Sequence, residues 1–313
     1  MIDIADHSSS LEEILEDQNL GDKFIATTET LLRNQNIQNE ELNEIGYEIL
    51  ELIINEQIEL LEDLDEDQLA SFNENNGFSE YSVEKIYDML SLLIKGGTEE
   101  QRKKVPDLLE TFSLKSTHRS ENGDTALIET ETFEMSLESF SSLEIYNKTM
   151  WSFSSALTMP ALLLLPEEST SIYSLIMIHW IDSPFLIDIP NGTNSLVNMT
   201  SISVMDSSTY QHVNMTEFEQ PANLTFYIQE ENMESLDQNL QCVYYDKLTN
   251  QFLTDGLSIP DEDGVIQYEG RTSLVTCNIE HFTDFTLFFT YKEVIIPEKE
   301  RTTGNKKGNF KVI

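Results

Sequence analysis

The sequence predicts an α+β chain, an N-terminal helical subdomain followed by an antiparallel β-sandwich. Three observations carry this. Apolar residues recur three and four apart through the first third, short alternating β-branched and aromatic runs dominate from residue 115 onward, and proline and Asn-Gly turns separate those runs. With 313 residues, 39% of them apolar, and sixteen phenylalanines, the chain can bury a substantial core. The change in period divides it into a helical subdomain over 1–114, a β-sandwich over 115–291 and a basic tail over 292–313.

The helical unit opens on Ser10-Leu-Glu-Glu13, a capping-box pattern, with Leu11, Ile14 and Leu15 following at helical spacing. Phe24, Ile25, Leu31 and Leu32 continue the stripe beyond Gly21. A second helix is predicted over 40–64 and a third over Ser82 to Lys95, where Gly96-Gly97 stops it. A shorter helix is predicted from Pro106 to Phe112. These stripes suit a small bundle core, and the acidic run from Glu62 to Asp67 suits a helix end and loop.

In the second unit, Phe133, Met135 and Leu137 alternate with polar residues as a half-buried strand would. Further strand-like runs lie at Ala161 to Leu165, Ile172 to Ile181, Phe185 to Ile189, Ser201 to Met205 and Leu224 to Ile228, punctuated by Pro166, Pro184, Pro190 and Asn191-Gly192. Many short strands with turns between them indicate a sandwich.

Charge narrows the function classes. There are 57 acidic residues against 18 Lys and Arg, a formal charge of −39 that repels nucleic acid. Only Lys148, Lys247 and Arg271 lie between Gly123 and Tyr291, whereas Lys292 to Lys311 contains six basic residues, a stretch that suits either a juxtamembrane segment beside anionic lipid or a soluble tail. The opening residues lack the basic and apolar regions of a signal peptide. The longest apolar run, Tyr173 to Ile181, is too short for a membrane helix. No phosphate-binding or dinucleotide-binding glycine pattern is present, and the histidines are scattered, so no cofactor or metal is expected. Five N-glycosylation acceptor patterns begin at Asn147, Asn191, Asn198, Asn214 and Asn223, which points mildly toward the secretory route.

The segment from Cys242 to Phe289 holds both cysteines and the triplet His281-Phe282-Thr283. If the chain turns sharply there, the Thr283 hydroxyl can reach the carbonyl carbon of Phe282. His281, with an ordinary pKa near neutrality, can take the hydroxyl proton. An N-to-O acyl shift followed by hydrolysis would cut the chain between Phe282 and Thr283. The same triplet also suits an ordinary strand.

The wider context favours the reactive reading. Cys242-Val-Tyr-Tyr-Asp246, Phe252-Leu-Thr-Asp-Gly256-Leu257 and Thr276-Cys277-Asn-Ile279-Glu-His281-Phe282-Thr283-Asp-Phe285 resemble the GPS motif. That motif is the proteolysis site in the GAIN domain of adhesion receptors and polycystin-like surface proteins. The likeness covers about fifty residues, here 242–289, and the helix-then-sandwich order resembles the GAIN domain more loosely. The sequence departs from the pattern at Tyr245, which replaces a tryptophan, at Leu257 and Ile279, where the family has a second cysteine pair, and at Phe282, where cleaving members usually have leucine.

The resemblance implies a disulfide between Cys242 and Cys277, with two separate buried thiols as the alternative. It implies His281 as base, Thr283 as nucleophile and Phe282 as the source of the scissile carbonyl. It makes Thr283, Phe285, Leu287 and Phe289 the strand that stays docked after the cut, so that one partner is the chain's own C-terminal strand. Activity would be single-turnover autoproteolysis, in an extracellular module of a membrane-anchored cell-surface parent with an unidentified ligand. The alternative is a non-cleaving structural module, or an acidic interaction protein of the cytoplasm.

Overall fold

The structure, a computed structural model, describes residues 80–117, 125–141, 149–152, 154–159, 172–185, 193–195, 198–207, 209, 211–213, 218, 220–228, 240–260, 265–268 and 271–290, with short helical stretches between 23 and 53. The Ser10–Glu13 cap, the acidic run 62–67, most of the 40–64 helix, the run 161–165 and the tail 292–313 lie outside these residues. The described chain is a β-rich α+β fold of antiparallel sheets with a few helices.

Helix α1 (Glu80–Gly96) exists because Val83, Ile86, Leu90, Leu93 and Ile94 fall on one face. Ile86, Leu90 and Leu93 are buried. Helix α2 (Glu99–Thr117) is longer than the predicted Pro106 to Phe112 segment at both ends. The reason is a capping box that the proline obscures. The Thr98 amide donates to Gln101 Oε1 at 2.9 Å, and the Gln101 amide donates to Thr98 Oγ1 at 3.3 Å. Pro106 then sits inside the helix and forgoes one backbone bond. Burial of Val105, Leu109 and Phe112 offsets that loss.

Fifteen strands follow among the described residues. In chain order they are β1 (Thr125–Glu129), β2 (Phe133–Ser141), β3 (Thr149–Trp151), β4 (Ser155–Thr158) and β5 (Ile172–Trp180). Next come β6 (Thr193–Ser195), β7 (Thr200–Asp206), β8 (Gln211–His212), β9 (Ala222–Tyr227) and β10 (Leu240–Asp246). The last are β11 (Gln251–Leu253), β12 (Leu257–Ser258), β13 (Val265–Tyr268), β14 (Arg271–Ile279) and β15 (Asp284–Thr290). One antiparallel sheet runs β1-β2-β5-β7-β15-β10-β11, with β6 beside β15 and β8 beside β7. The second runs β12-β14-β9-β4-β3, with β13 beside β14.

The larger sheet is covered on both faces, which explains why β5 reads as one apolar run and not as an alternation. Ile176, Ile178 and Trp180 join Phe133, Met135, Leu137 and the helices in one apolar cluster. Tyr173, Leu175 and Met177 point the other way and join Leu224, Phe226, Val275 and Ile279 of the smaller sheet in another. An edge-to-face chain of rings ties helix to sheet, Phe112 to Tyr87 at 5.3 Å, Tyr87 to Phe133 at 6.5 Å and Phe133 to Trp180 at 5.9 Å.

The opposite face of the smaller sheet is polar. Thr149, Thr158, Asn223, Asn278 and Ser258 stand side by side across β3, β4, β9, β14 and β12. One step along, Trp151, Ala156, Thr225 and Thr276 form the next row.

Candidate functional site

Strand β14 belongs to the smaller sheet and β15 to the larger, so residues 280–283 carry the chain from one sheet to the other. His281, Phe282 and Thr283 all lie in that crossover. Three segments hold it by backbone hydrogen bonds. The Glu280 amide donates to Gly256 O at 3.1 Å, the Phe218 amide donates to Glu280 O at 3.1 Å, and the Ile202 amide donates to Thr283 O at 2.9 Å. The Phe282–Thr283 peptide is therefore anchored on both sides.

The side chains are equally placed by neighbours. The His281 ring stands edge-on to Tyr244 with centroids 4.6 Å apart, and lies 5.9 Å from Phe285. Tyr244 is itself fixed, because its hydroxyl donates to Asp255 Oδ1 at 2.8 Å. Burial, reinforced by that carboxylate, pushes the Tyr244 hydroxyl well above its ordinary pKa and keeps it protonated. Phe282 packs edge-to-face on Phe218 at 4.8 Å. A His281 ring so placed can accept a proton, and a threonine one residue beyond a fixed carbonyl can supply a nucleophile.

Cys242 on β10 and Cys277 on β14 form a disulfide between the two sheets, with Cα atoms 6.0 Å apart. Leu257 and Ile279 are direct cross-strand partners. They pack in the same apolar cluster. Gly256 has φ of +71°, and a Cβ there would lie 3.3 Å from the Glu280 side chain and 3.4 Å from His281 Nδ1. Gly256→Ala is expected to cost about 1–2 kcal/mol from the left-handed backbone alone. Urea denaturation measures that loss, and a change of under a few tenths would refute the strain argument.

Strand β15 pairs with β10 on one side and with β7 and β6 on the other. Phe285 and Leu287 face the smaller sheet, while Phe288 faces the helices. The Phe289 side chain lies outside the described residues. Asp284, buried at the start of this strand, accepts a hydrogen bond from Ser201 Oγ, and Ser201 Oγ accepts one from Trp180 Nε1 at 2.6 Å. Lys247 Nζ lies 3.3 Å from the other Asp284 oxygen and 5.0 Å from the centre of the Phe185 ring. Burial disfavours the Lys247 ammonium, but Asp284 and Glu110 outweigh it and hold its pKa above the usual value.

A second buried acid sits beside this group. Glu110 of α2 accepts from Ser203 Oγ at 2.9 Å and has His212 Nε2 3.3 Å from its other oxygen. Burial pushes the Glu110 carboxyl up to about 7. On the other face of the larger sheet, His179 is held by Thr200 Oγ1 at 3.1 Å, and burial pushes it down to about 4. Sequence reasoning points to none of Phe218, Tyr244, Asp255, Glu110 or Asp284 as parts of a site. Phe218 acts through spatial proximity from a distant chain segment, and no local pattern marks it.

Of the acceptor asparagines, Asn198 and Asn223 are described and both are exposed. Asn147, Asn191 and Asn214 lie outside the described residues. Among the described residues no cluster of His, Cys, Asp or Glu suits a metal ion, and no helix is long and apolar enough to cross a membrane.

No protein-family model matches the chain, and no curated protein matches it. Among solved structures it is similar to the full extracellular region of zebrafish Gpr126/Adgrg6, at 15% identity and a TM-score of 0.45. The likeness covers 75% of this chain and 32% of that one, so the chain spans less than a third of that region's length.

Proposed function

We propose that this chain is a GAIN-like extracellular module of a surface protein, built as a helical unit on a β-sandwich, whose crossover can cut itself between Phe282 and Thr283. The observation that carries the reading is the crossover itself. A histidine, an acyl residue and a threonine stand consecutively where the chain passes between two sheets, anchored on both sides and beside a disulfide.

In the reaction, His281 takes the Thr283 hydroxyl proton as Oγ attacks the Phe282 carbonyl carbon. The tetrahedral adduct collapses with loss of the C–N bond, and the departing Thr283 nitrogen receives the proton. An ester now links Phe282 to Thr283 Oγ. Water hydrolyses it, leaving a carboxylate on Phe282 and a free amine and hydroxyl on Thr283. Phe218 steadies the Phe282 ring, and Tyr244 steadies His281. After the cut, β15 remains held by its ladders to β10, β7 and β6 and by Asp284.

One observation favours a second reading, an uncut structural module of the same kind. Phe282, packed edge-to-face on Phe218 at 4.8 Å, stands where cleaving members of the resembled family usually have leucine. Secreted protein from a eukaryotic host, run on a denaturing gel and sequenced from its N-termini, separates the two. Self-cleavage gives a fragment beginning at Thr283 that is absent in Thr283→Ala and strongly reduced in His281→Ala. A single intact band identical in all three proteins removes the cleavage reading.

A further inference from the structure

The polar outer face of the smaller sheet takes no part in the crossover, and it has a composition unusual for this chain. The row Thr149, Thr158, Asn223, Asn278 and Ser258 crosses five of the sheet's six strands without a charge, in a protein with 57 acidic residues. Its side chains bond to one another, Thr149 to Thr158 at 3.1 Å and Asn278 Nδ2 to Ser258 Oγ at 3.4 Å. In the next row Thr225 and Thr276 share a hydrogen bond at 3.0 Å, and Trp151 stands at the end with 59% of its surface exposed. Asn223 is exposed at the centre of this face and begins the acceptor pattern Asn223-Leu224-Thr225.

We propose that Asn223 carries an N-linked glycan whose first sugars lie along this face and end on the Trp151 ring. The match is chemical. A pyranose offers hydroxyls around its rim, which suit the Thr and Asn donors and acceptors, and an apolar C–H face, which suits an indole. It carries no charge, and neither does the row. Asn223 and Trp151 are two strands and one residue pair apart, roughly 12 Å by sheet geometry, a span the first few sugars of a glycan cover. Ala156 stands between Trp151 and Thr225 in the register and is itself buried. Asn198 has no such setting, since its Thr200 is buried and bonded to His179.

In the attachment step, Asn223 Nδ2 bonds to the anomeric carbon of a lipid-linked oligosaccharide, displaces the polyprenyl diphosphate and loses a proton. Donor and transferase belong to the secretory route, and the step precedes folding of β9. The inference shares that placement with the proposed function but not its cleavage chemistry, so an uncut chain leaves it standing.

The test uses the full chain secreted from a eukaryotic host. Glycopeptide mass spectrometry reads occupancy of Asn223, and acrylamide quenching reads cover over Trp151. The second tryptophan, Trp180, is fully buried, so quenching reports on Trp151. The expected result is an occupied Asn223 and a quenching constant about twofold below that of Asn223→Gln. Thr225→Ser should keep both properties and Asn198→Gln should leave the quenching unchanged. Enzymatic removal of the glycan from folded wild type should raise quenching without any substitution. A bare Asn223 in folded secreted protein overturns the proposal. So does equal quenching in wild type and Asn223→Gln, which is also the outcome if a second copy or another protein covers this face.

Discussion

Breaking the Cys242–Cys277 bridge is expected to lower stability by about 3–4 kcal/mol, the chain-entropy value for a loop of this length. The cysteines are 35 residues apart and join β10 of one sheet to β14 of the other. Both are buried in the apolar cluster shared by the sheets. Reduction alone keeps the sulfur atoms in place, so it measures the loss of the cross-link. The double variant Cys242→Ala/Cys277→Ala adds the cavity left by two missing sulfurs and should be less stable still. Urea unfolding of oxidised, reduced and doubly substituted protein gives both quantities. Equal midpoints for the oxidised and reduced forms would show that the apolar packing between the two sheets suffices to hold them together without the cross-link. The bridge also spaces β10, which carries Tyr244, from β14, which leads into His281. Reduction should therefore disturb the crossover before it unfolds the chain.

The parts of this fold that are legible in the sequence are those in which one period acts alone. Val83, Ile86, Leu90 and Leu93 announce α1 by spacing, and Phe133, Met135 and Leu137 announce β2 by alternation. The start of α2 is hidden because two local signals compete. Pro106 reads as a helix beginning, while the Thr98–Gln101 cap that begins the helix looks like any polar pair. The setting of β15 is hidden for a different reason. Its odd residues Phe285 and Leu287 suggest one buried face, yet Phe288 and Asp284 are buried on the other, because α1 and α2 cover the larger sheet from behind. Burial on that side is decided by residues from the first half of the chain. The candidate site divides in the same way. His281, Phe282, Thr283 and the cysteines stand in a recognisable string, whereas Phe218 reaches Phe282 only through the fold.

Glu110 and His179 are expected to give opposite pH dependences that largely cancel in the wild type. Glu110 is raised from an ordinary 4.5 to about 7, so the unfolded chain releases its proton first as pH rises. Its contribution is complete below about 4.5 and is lost as pH climbs to about 7. His179 is lowered from 6.5 to about 4, so the unfolded chain takes up a proton first as pH falls. Its contribution is complete above about 6.5 and is lost on the way down to about 4. Each shift corresponds to a swing on the order of 3 kcal/mol, and over the shared window the slopes have opposite sign. Glu110→Gln keeps an acceptor for Ser203 and removes one slope, so its stability relative to wild type should rise with pH across that window. His179→Gln keeps a partner for Thr200 and removes the other, so its relative stability should fall with pH. Taking differences from wild type cancels the titration of the many surface carboxylates, which is common to all three proteins. The groups facing Glu110 are Ser203, His212, Lys247, Asp107 and Asp284, and none of them is altered in either variant. Denaturant unfolding at pH 4.5, 5.5 and 6.5 tests the pair, those values being set by the two ordinary and two shifted pKa values. Parallel curves for both variants and wild type would mean that neither group is buried in the uncharged form that its surroundings impose.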